Sequence, residues 1–197
     1  MGMNNFELEF EKTILKSMGL KHKDLKIAEM GNIEFKISPR FPAKILYTTK
    51  LEVQEHVSFD LNGRWGSLKH NLCNQLPKEF HNRFDIVTNY GTGEHVANQY
   101  MFFLNMHILS KVGGIMFHSF VVEGSWPDHC NYFYNNTIAK NIASLFNYKI
   151  LSLETKVKYP ERPNTTEICQ AAFQKTSHSL PTAKLFDQVG IIKKDGC

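Results

Sequence analysis

Residues 83–121 read RFDIVTNYGTGEHVANQYMFFLNMHILSKVGGIMFHSFV, and the pattern of this stretch changes three times along its length. Phe84 to Thr88 is a short apolar run that enters a glycine-containing loop, Asn89-Tyr90-Gly91-Thr92-Gly93-Glu94-His95, as a buried strand does before a turn. From Val96 to Leu109 apolar residues recur at helical spacing, at Val96, Tyr100, Phe103 and Met106. Lys111-Val112-Gly113-Gly114 supplies helix-stop chemistry, and Ile115 to Val121 reads as the next strand. Strand, loop, helix and strand in that order make a crossover unit whose two strands lie parallel in one sheet.

The same alternation continues on both sides. Leu25 to Glu29 and His56 to Asp60 are short apolar runs that each end at an acid followed by turn residues. Phe41 to Lys50 and Tyr132 to Phe146 read as helices, Tyr148 to Val157 as a strand, and Glu167 to Gln174 as a last apolar strand. Residues 4–18 place Phe6, Phe10, Ile14 and Met18 at fourfold spacing, and Gly19 can close the helix. Residues 1–20 are therefore expected to form a lid or capping helix, and residues 177–197 a surface extension with loose final residues. The reading is one α/β domain over residues 1–197, Rossmann-like and doubly wound, with a mainly parallel sheet and helices on both faces. Such sheets take their ligands at the carboxyl ends of the strands.

Bulk properties narrow the function classes. A chain of 197 residues with 42% hydrophobic and 21% charged content buries one substantial core. The net charge of +4 is dispersed, with no basic stripe or reading motif, so a nucleic-acid partner is not expected. Cys73, Cys130, Cys169 and Cys197 stand far apart with no CxxC pair, which suggests neither a metal site nor a disulfide framework. The N-terminal MGMNNFELEFEK carries acids where a secretory signal carries bases, and no stretch approaches the ~20 apolar residues of a membrane span. These features fit a cytoplasmic protein without a membrane partner.

The strand ends carry the chemistry. Glu29-Met30-Gly31-Asn32 comes first, then Asp60-Leu61-Asn62-Gly63, then Asp85 through Thr92. An acid closing the second strand can accept hydrogen bonds from the two hydroxyls of a ribose, and a glycine after the first strand permits close backbone approach. Together they describe a nucleoside-shaped site. A dinucleotide would need G-x-G-x-x-G after the first strand to seat its pyrophosphate, and that fingerprint is absent.

These motifs resemble the class I S-adenosylmethionine-dependent methyltransferases, with the resemblance running from about residue 25 to about residue 175. It includes His70-Asn71-Leu72-Cys73 as the adenine-flanking segment, with Asn71 where an acid is commoner, and Leu109 to Gly114 as the turn into the fifth strand. The resemblance implies S-adenosylmethionine as cofactor, held by Glu29, Gly31, Asn32, Asp60, Leu61, Asn71, Leu72 and Asn89. It also implies methyl transfer to a small-molecule acceptor, such as a sugar or metabolite. The sequence departs from the family where three spaced glycines are usual, having Gly31 followed by Ile33 and Phe35. The interval from Glu29 to Asp60 is also longer than the family's habit, implying an enlarged first crossover.

Methyl transfer is an in-line displacement at a sulfonium carbon, so the protein aligns the acceptor and, for an acidic or hydroxyl nucleophile, removes a proton. Glu94 or His95, in the loop after the fourth strand, is a candidate base, and His129 in SWPDHCNYFY is a third. The plainer alternative has Glu94 capping the next helix and His95 packing on its first turn. His118 reads more simply as a core residue, while Trp126, Tyr132 and Tyr134 are candidate walls of an acceptor pocket. Two rival functions use the same sheet. One is a non-catalytic S-adenosylmethionine-binding or regulatory module, supported by the missing glycines, and the other is an enzyme that cleaves the sulfonium.

Overall fold

The computed structural model describes residues 2–126, 130–158 and 166–194. Seven strands form its central sheet: β1 (Lys26–Met30), β2 (Glu55–Asp60), β3 (Leu68–Lys69), β4 (Phe84–Asn89), β5 (Ser110–Val121), β6 (Tyr148–Val157) and β7 (Glu167–Lys175). Their spatial order is β3-β2-β1-β4-β5-β7-β6. Every neighbouring pair from β3 to β5 is parallel, and β7 runs antiparallel to both β5 and β6. The strand order reverses between β1 and β4, and there the ends of neighbouring strands leave a crevice for a ligand.

Helices cover both faces, as the alternation requires. On one face α2 (Gln99–Leu109), α3 (Asn136–Leu145) and the short α4 (Ala183–Phe186) meet the strands, so that Phe102, Phe103, Ile142 and Phe186 pack with Met30, Val87, Met116 and Phe173. On the other face α1 (Asn5–Ser17) and a helical turn over residues 43–50 bring Phe10, Ile14, Leu15 and Tyr47 onto Ile27, Ile86, Ile115 and Phe117. Asparagine starts the three long helices. Asn4 accepts from the Phe6 N–H at 2.7 Å, Asn98 from Met101 at 3.0 Å and Asn135 from Ile138 at 2.9 Å, each satisfying a donor that the first turn leaves without a helical partner.

Several expectations are corrected. The helix expected over Tyr132 to Phe146 starts only at Asn136, because Tyr132–Phe133 pairs antiparallel with Ile192–Lys193 instead. Strand β5 starts at Ser110, directly after α2, so the Lys111 to Gly114 turn lies inside the strand, with Gly113 at φ +86° and a register irregularity against β4. The C-terminal extension is more than surface, since Phe186 and Val189 are buried in the main core. Asp85 lies at the amino end of β4, where it accepts from the Lys26 N–H and pairs with Lys111 at 2.7 Å. The enlarged first crossover does appear: Glu34–Phe35 and Phe41–Pro42 in it join Gly2–Met3 in a small separate sheet.

The buried face of α1 differs from the expected one. It carries Glu7, Leu8, Phe10, Glu11, Ile14 and Leu15, while Phe6 and Met18 are only half-buried. Two carboxylates thus sit between helix and sheet. Glu11 Oε1 accepts from the hydroxyls of Tyr47 and Tyr90, each at 2.6 Å, and His22 Nε2 lies 2.9 Å from Oε2. Glu7 accepts from the Asn4 N–H at 3.0 Å, from Ser119 Oγ at 3.1 Å and from the buried Lys158 ammonium. Burial and then the Glu11 charge push both tyrosines well above their ordinary range, which keeps them as neutral donors. With both acids committed, α1 is tied to the crossover, to the loop after β4 and to β5. Glu11→Ala leaves the buried Tyr90 hydroxyl without an acceptor and Tyr47 with only the Met3 sulfur at 3.6 Å, and should lower stability by about 3 kcal/mol. A urea-unfolding loss below about 1 kcal/mol would mean that these contacts contribute little net stability.

Candidate functional site

The carboxyl ends of β1, β2, β3 and β4 converge on a cavity of about 490 Å³. It is lined by Asn32 and Ile33 after β1, Asp60 and Leu61 at the end of β2, His70 to Cys73 after β3, and Gly91, Thr92, His95, Val96 and Ala97 after β4. A volume of this size suits one drug-sized ligand. Asp60 is half-buried at its mouth. Its Oδ2 accepts from the Asn32 N–H and its Oδ1 from the Asn62 N–H, both at 2.8 Å. Each oxygen keeps a second lone pair for a ligand donor. The Asn32 side chain donates to the Arg64 carbonyl at 2.8 Å, which ties the loops after β1 and β2 together.

Five of the eight residues expected at the cofactor line this cavity: Asn32, Asp60, Leu61, Asn71 and Leu72. The other three stand behind it. Glu29 is buried and turned beneath the loop, hydrogen-bonded to the Ile33 backbone, and its Oε2 lies 3.5 Å from His56 Nε2. Burial raises its carboxyl above the ordinary range. Glu29 Oε1 and both His56 ring nitrogens lack hydrogen-bond partners among the described residues. Asn89 is also buried, and its Oδ1 accepts from the Gly93 and Thr92 N–H groups, shaping the loop after β4 from within. Gly31 faces Thr92. A Cβ there would come within 2.2 Å of Thr92 Oγ1, and its φ of +92° favours glycine independently. The linear reading missed Thr92 as a cavity residue, because its place is fixed by a contact with Gly31 that no local pattern encodes.

The acceptor candidates separate. His95 is exposed and lines the cavity. Glu94, its neighbour, turns the other way into the interior; its Oε1 has no hydrogen-bond partner among the described residues, and burial raises its carboxyl to about 7. It does not cap α2, a role that Asn98 fills. Its surroundings include Lys158, whose charge lowers the same carboxyl, and the Cys130 thiol, which burial and then Glu94 push up to about 12. Tyr134 is fully buried and donates to Gln99 Oε1 at 2.5 Å, so it packs in the core instead of walling an open pocket. His118 is a core residue stacked on Phe120, held neutral by burial with a pKa of about 3. His129 lies outside the described residues.

No family model matches the chain, and no curated protein does. Solved structures do match. The 1,6-didemethyltoxoflavin-N1-methyltransferase of Burkholderia thailandensis, solved with 1,6-didemethyltoxoflavin and S-adenosylhomocysteine, aligns at a TM-score of 0.58 and 10% identity over 84% of this chain and 76% of its own. The N-methyltransferase NodS of Bradyrhizobium japonicum WM9 gives 0.58 and 11% over 88% and 96%. A putative methyltransferase of Haloferax volcanii, solved with the Trm112 methyltransferase activator, gives 0.60 and 12% over 86% and 89%. The chain has the fold of the class I S-adenosylmethionine-dependent methyltransferases.

In the loop after β1 Gly31 is the single glycine, and Thr92 packs on it. Among the described residues, the connections from β2 to β3 and from β3 to β4 hold only single 3-10 turns, so this edge of the sheet lacks long helices. No described helix is long and apolar enough to cross a membrane, and no described group of three His, Cys, Asp or Glu residues could hold a metal ion. Gly31→Ala should cost about 2 kcal/mol or more in stability, from the clash and the positive φ together. In a Thr92→Ala background the cost should shrink by about 1 kcal/mol, and additive losses would mean that the two side chains do not compete for the space.

Proposed function

We propose that the chain binds S-adenosylmethionine in the cavity at the ends of β1, β2, β3 and β4 and transfers its methyl group to a small-molecule acceptor. The observation that carries this reading concerns a single loop. Gly91, Thr92 and His95 form one wall of a nucleoside-sized cavity, which brings the His95 ring to the ligand side, while the Glu94 carboxyl between them is buried on the opposite side.

The residues fit the cofactor at its nucleoside end. Asp60, at the mouth, has lone pairs for two ribose hydroxyls, and the Asn32 and Asn62 N–H groups hold its carboxylate in place. Leu72 offers an apolar surface and Asn71 a polar edge for the base. Glu29 supports the Ile33 loop from below, a positioning role in this reading. The bound cofactor supplies an electrophilic methyl carbon. His95, which lines the cavity, takes the proton from the acceptor's nucleophilic atom, while Glu94 faces the closed side around Cys130 and Tyr134. The size of the cavity, shared with the cofactor, leaves room for a small acceptor.

Calorimetric titration should give micromolar binding of S-adenosylmethionine and none of NAD. Asp60→Ala should weaken that binding by about 1.5 to 3 kcal/mol. Absence of binding would overturn the assignment, and breakdown of the ligand without an acceptor would replace methyl transfer with cleavage.

His95→Ala should slow turnover without changing cofactor affinity, and full activity would remove His95 from the reaction. Glu94→Gln tests the Glu94 titration through stability. The folded protein keeps the Glu94 proton up to about pH 7, whereas an unperturbed carboxyl releases it near 4.5, so wild-type stability falls as pH rises across that window. The variant lacks this fall and should gain on the order of 2 kcal/mol relative to wild type between about pH 5 and about pH 8. Parallel stability profiles would show that Glu94 titrates normally.

A further inference from the structure

Far from the cofactor cavity, the carboxyl end of α1 and the end of the first crossover enclose a groove of about 530 Å³. Five lysines line it, Lys12 and Lys16 from α1, Lys21 and Lys23 from the turn after it, and Lys50 from the crossover, against one carboxylate, Glu52. All five are exposed. Lys12 pairs with Glu9, whereas Lys16, Lys21, Lys23 and Lys50 make no ion pair among the described residues. Asp24 stands exposed in the same turn, outside the lining. The lining's excess of four positive charges equals the formal net charge of the whole chain, so the rest of the molecule is balanced. Four of these lysines fall within residues 12–23, and the fold brings Lys50 to them.

We propose that this groove docks the phosphate backbone of a nucleic acid without reading its sequence. Three features favour phosphates over an acidic protein surface. First, binding that rests on counterion release leaves long side chains mobile, whereas a protein interface has to order them, and lysine is depleted from protein interfaces. Second, the lining holds no aromatic residue and no arginine, so it offers point charges and no base-stacking or bidentate base contact. Third, His22 in the floor is already engaged by Glu11, which leaves the lysine ammonium groups as the contacts. The 13 residues of α1 put the groove about 20 Å from that helix's amino end, and the groove shares no residue with the cavity at the strand ends, so docking here recruits the protein and does not depend on which acceptor is methylated.

The test uses the full chain without S-adenosylmethionine, so that its outcome is separate from that of the methyl-transfer reading. Fluorescence anisotropy with a mixed-sequence RNA single strand of about 20 nucleotides should show binding that weakens steeply between about 50 and about 200 mM salt. Replacing three groove lysines together, Lys16→Gln, Lys21→Gln and Lys50→Gln, should weaken binding by about tenfold or more and flatten the salt slope by about two. The matched control Lys78→Gln, Lys140→Gln and Lys184→Gln removes the same charge elsewhere and should change binding by less than about threefold. Thermal midpoints of both variants verify folding. The proposal is overturned by absence of binding at low salt, by equal losses in the two variants, or by tighter binding of poly-glutamate than of RNA, which would assign the groove to an acidic protein.

Discussion

A single carboxylate, Glu11, organises one whole face of the molecule. It is fully buried, and it accepts from Tyr47 of the crossover helix and Tyr90 of the loop after β4 while contacting His22 at the entry to β1. A buried charge tolerates few arrangements, since each missing donor leaves a costly unsatisfied group. The network therefore fixes α1, the crossover and the β4 loop relative to one another more narrowly than apolar packing alone, which accepts many near-equivalent fits. Tyr90 immediately precedes Gly91 and Thr92, so the wall of the cavity at the strand ends inherits this constraint.

The β4 loop then acts as a partition. Asn89 holds it from inside by accepting the Thr92 and Gly93 amides, and Tyr90 anchors it to α1. Successive residues beyond these anchors face different compartments, with His95 toward the cavity and Glu94 toward the interior. A short 3-10 turn over Gly93–His95 makes the reversal possible. One peptide segment thus presents one side chain to the cavity and the next to the core.

Much of this was legible in the sequence where the determinant is local. The strands ending at Met30, Asp60 and Asn89 were visible because apolar runs, acids and turn residues are read in order along the chain, and Asp60 falls at the cavity by strand position alone. What escaped depends on tertiary contacts. Fourfold spacing of Phe6, Phe10, Ile14 and Met18 gave a plausible apolar face for α1, yet the true face rotates to include Glu7 and Glu11, whose partners Lys158, Tyr47 and Tyr90 lie far along the chain. Tyr132 and Phe133 fit a helical pattern until a C-terminal strand captures them. Glu29 is an acid at the expected strand end, but its rotation beneath the loop follows from His56 across the sheet. The lysine groove is only partly visible in the same way, since Lys12, Lys16, Lys21 and Lys23 are near neighbours in sequence while Lys50 joins them only in three dimensions.

The Lys158 contact to Glu7 spans nearly the entire chain, and the same ammonium holds the Gly2 carbonyl at 3.1 Å. On a ribosome the first helix emerges long before its counter-charge. Until residue 158 clears the exit, the segment carries an acid with no cation to meet it, and its apolar side chains have no completed sheet to cover. Helix α1 thus cannot complete its contacts before residue 158 is available.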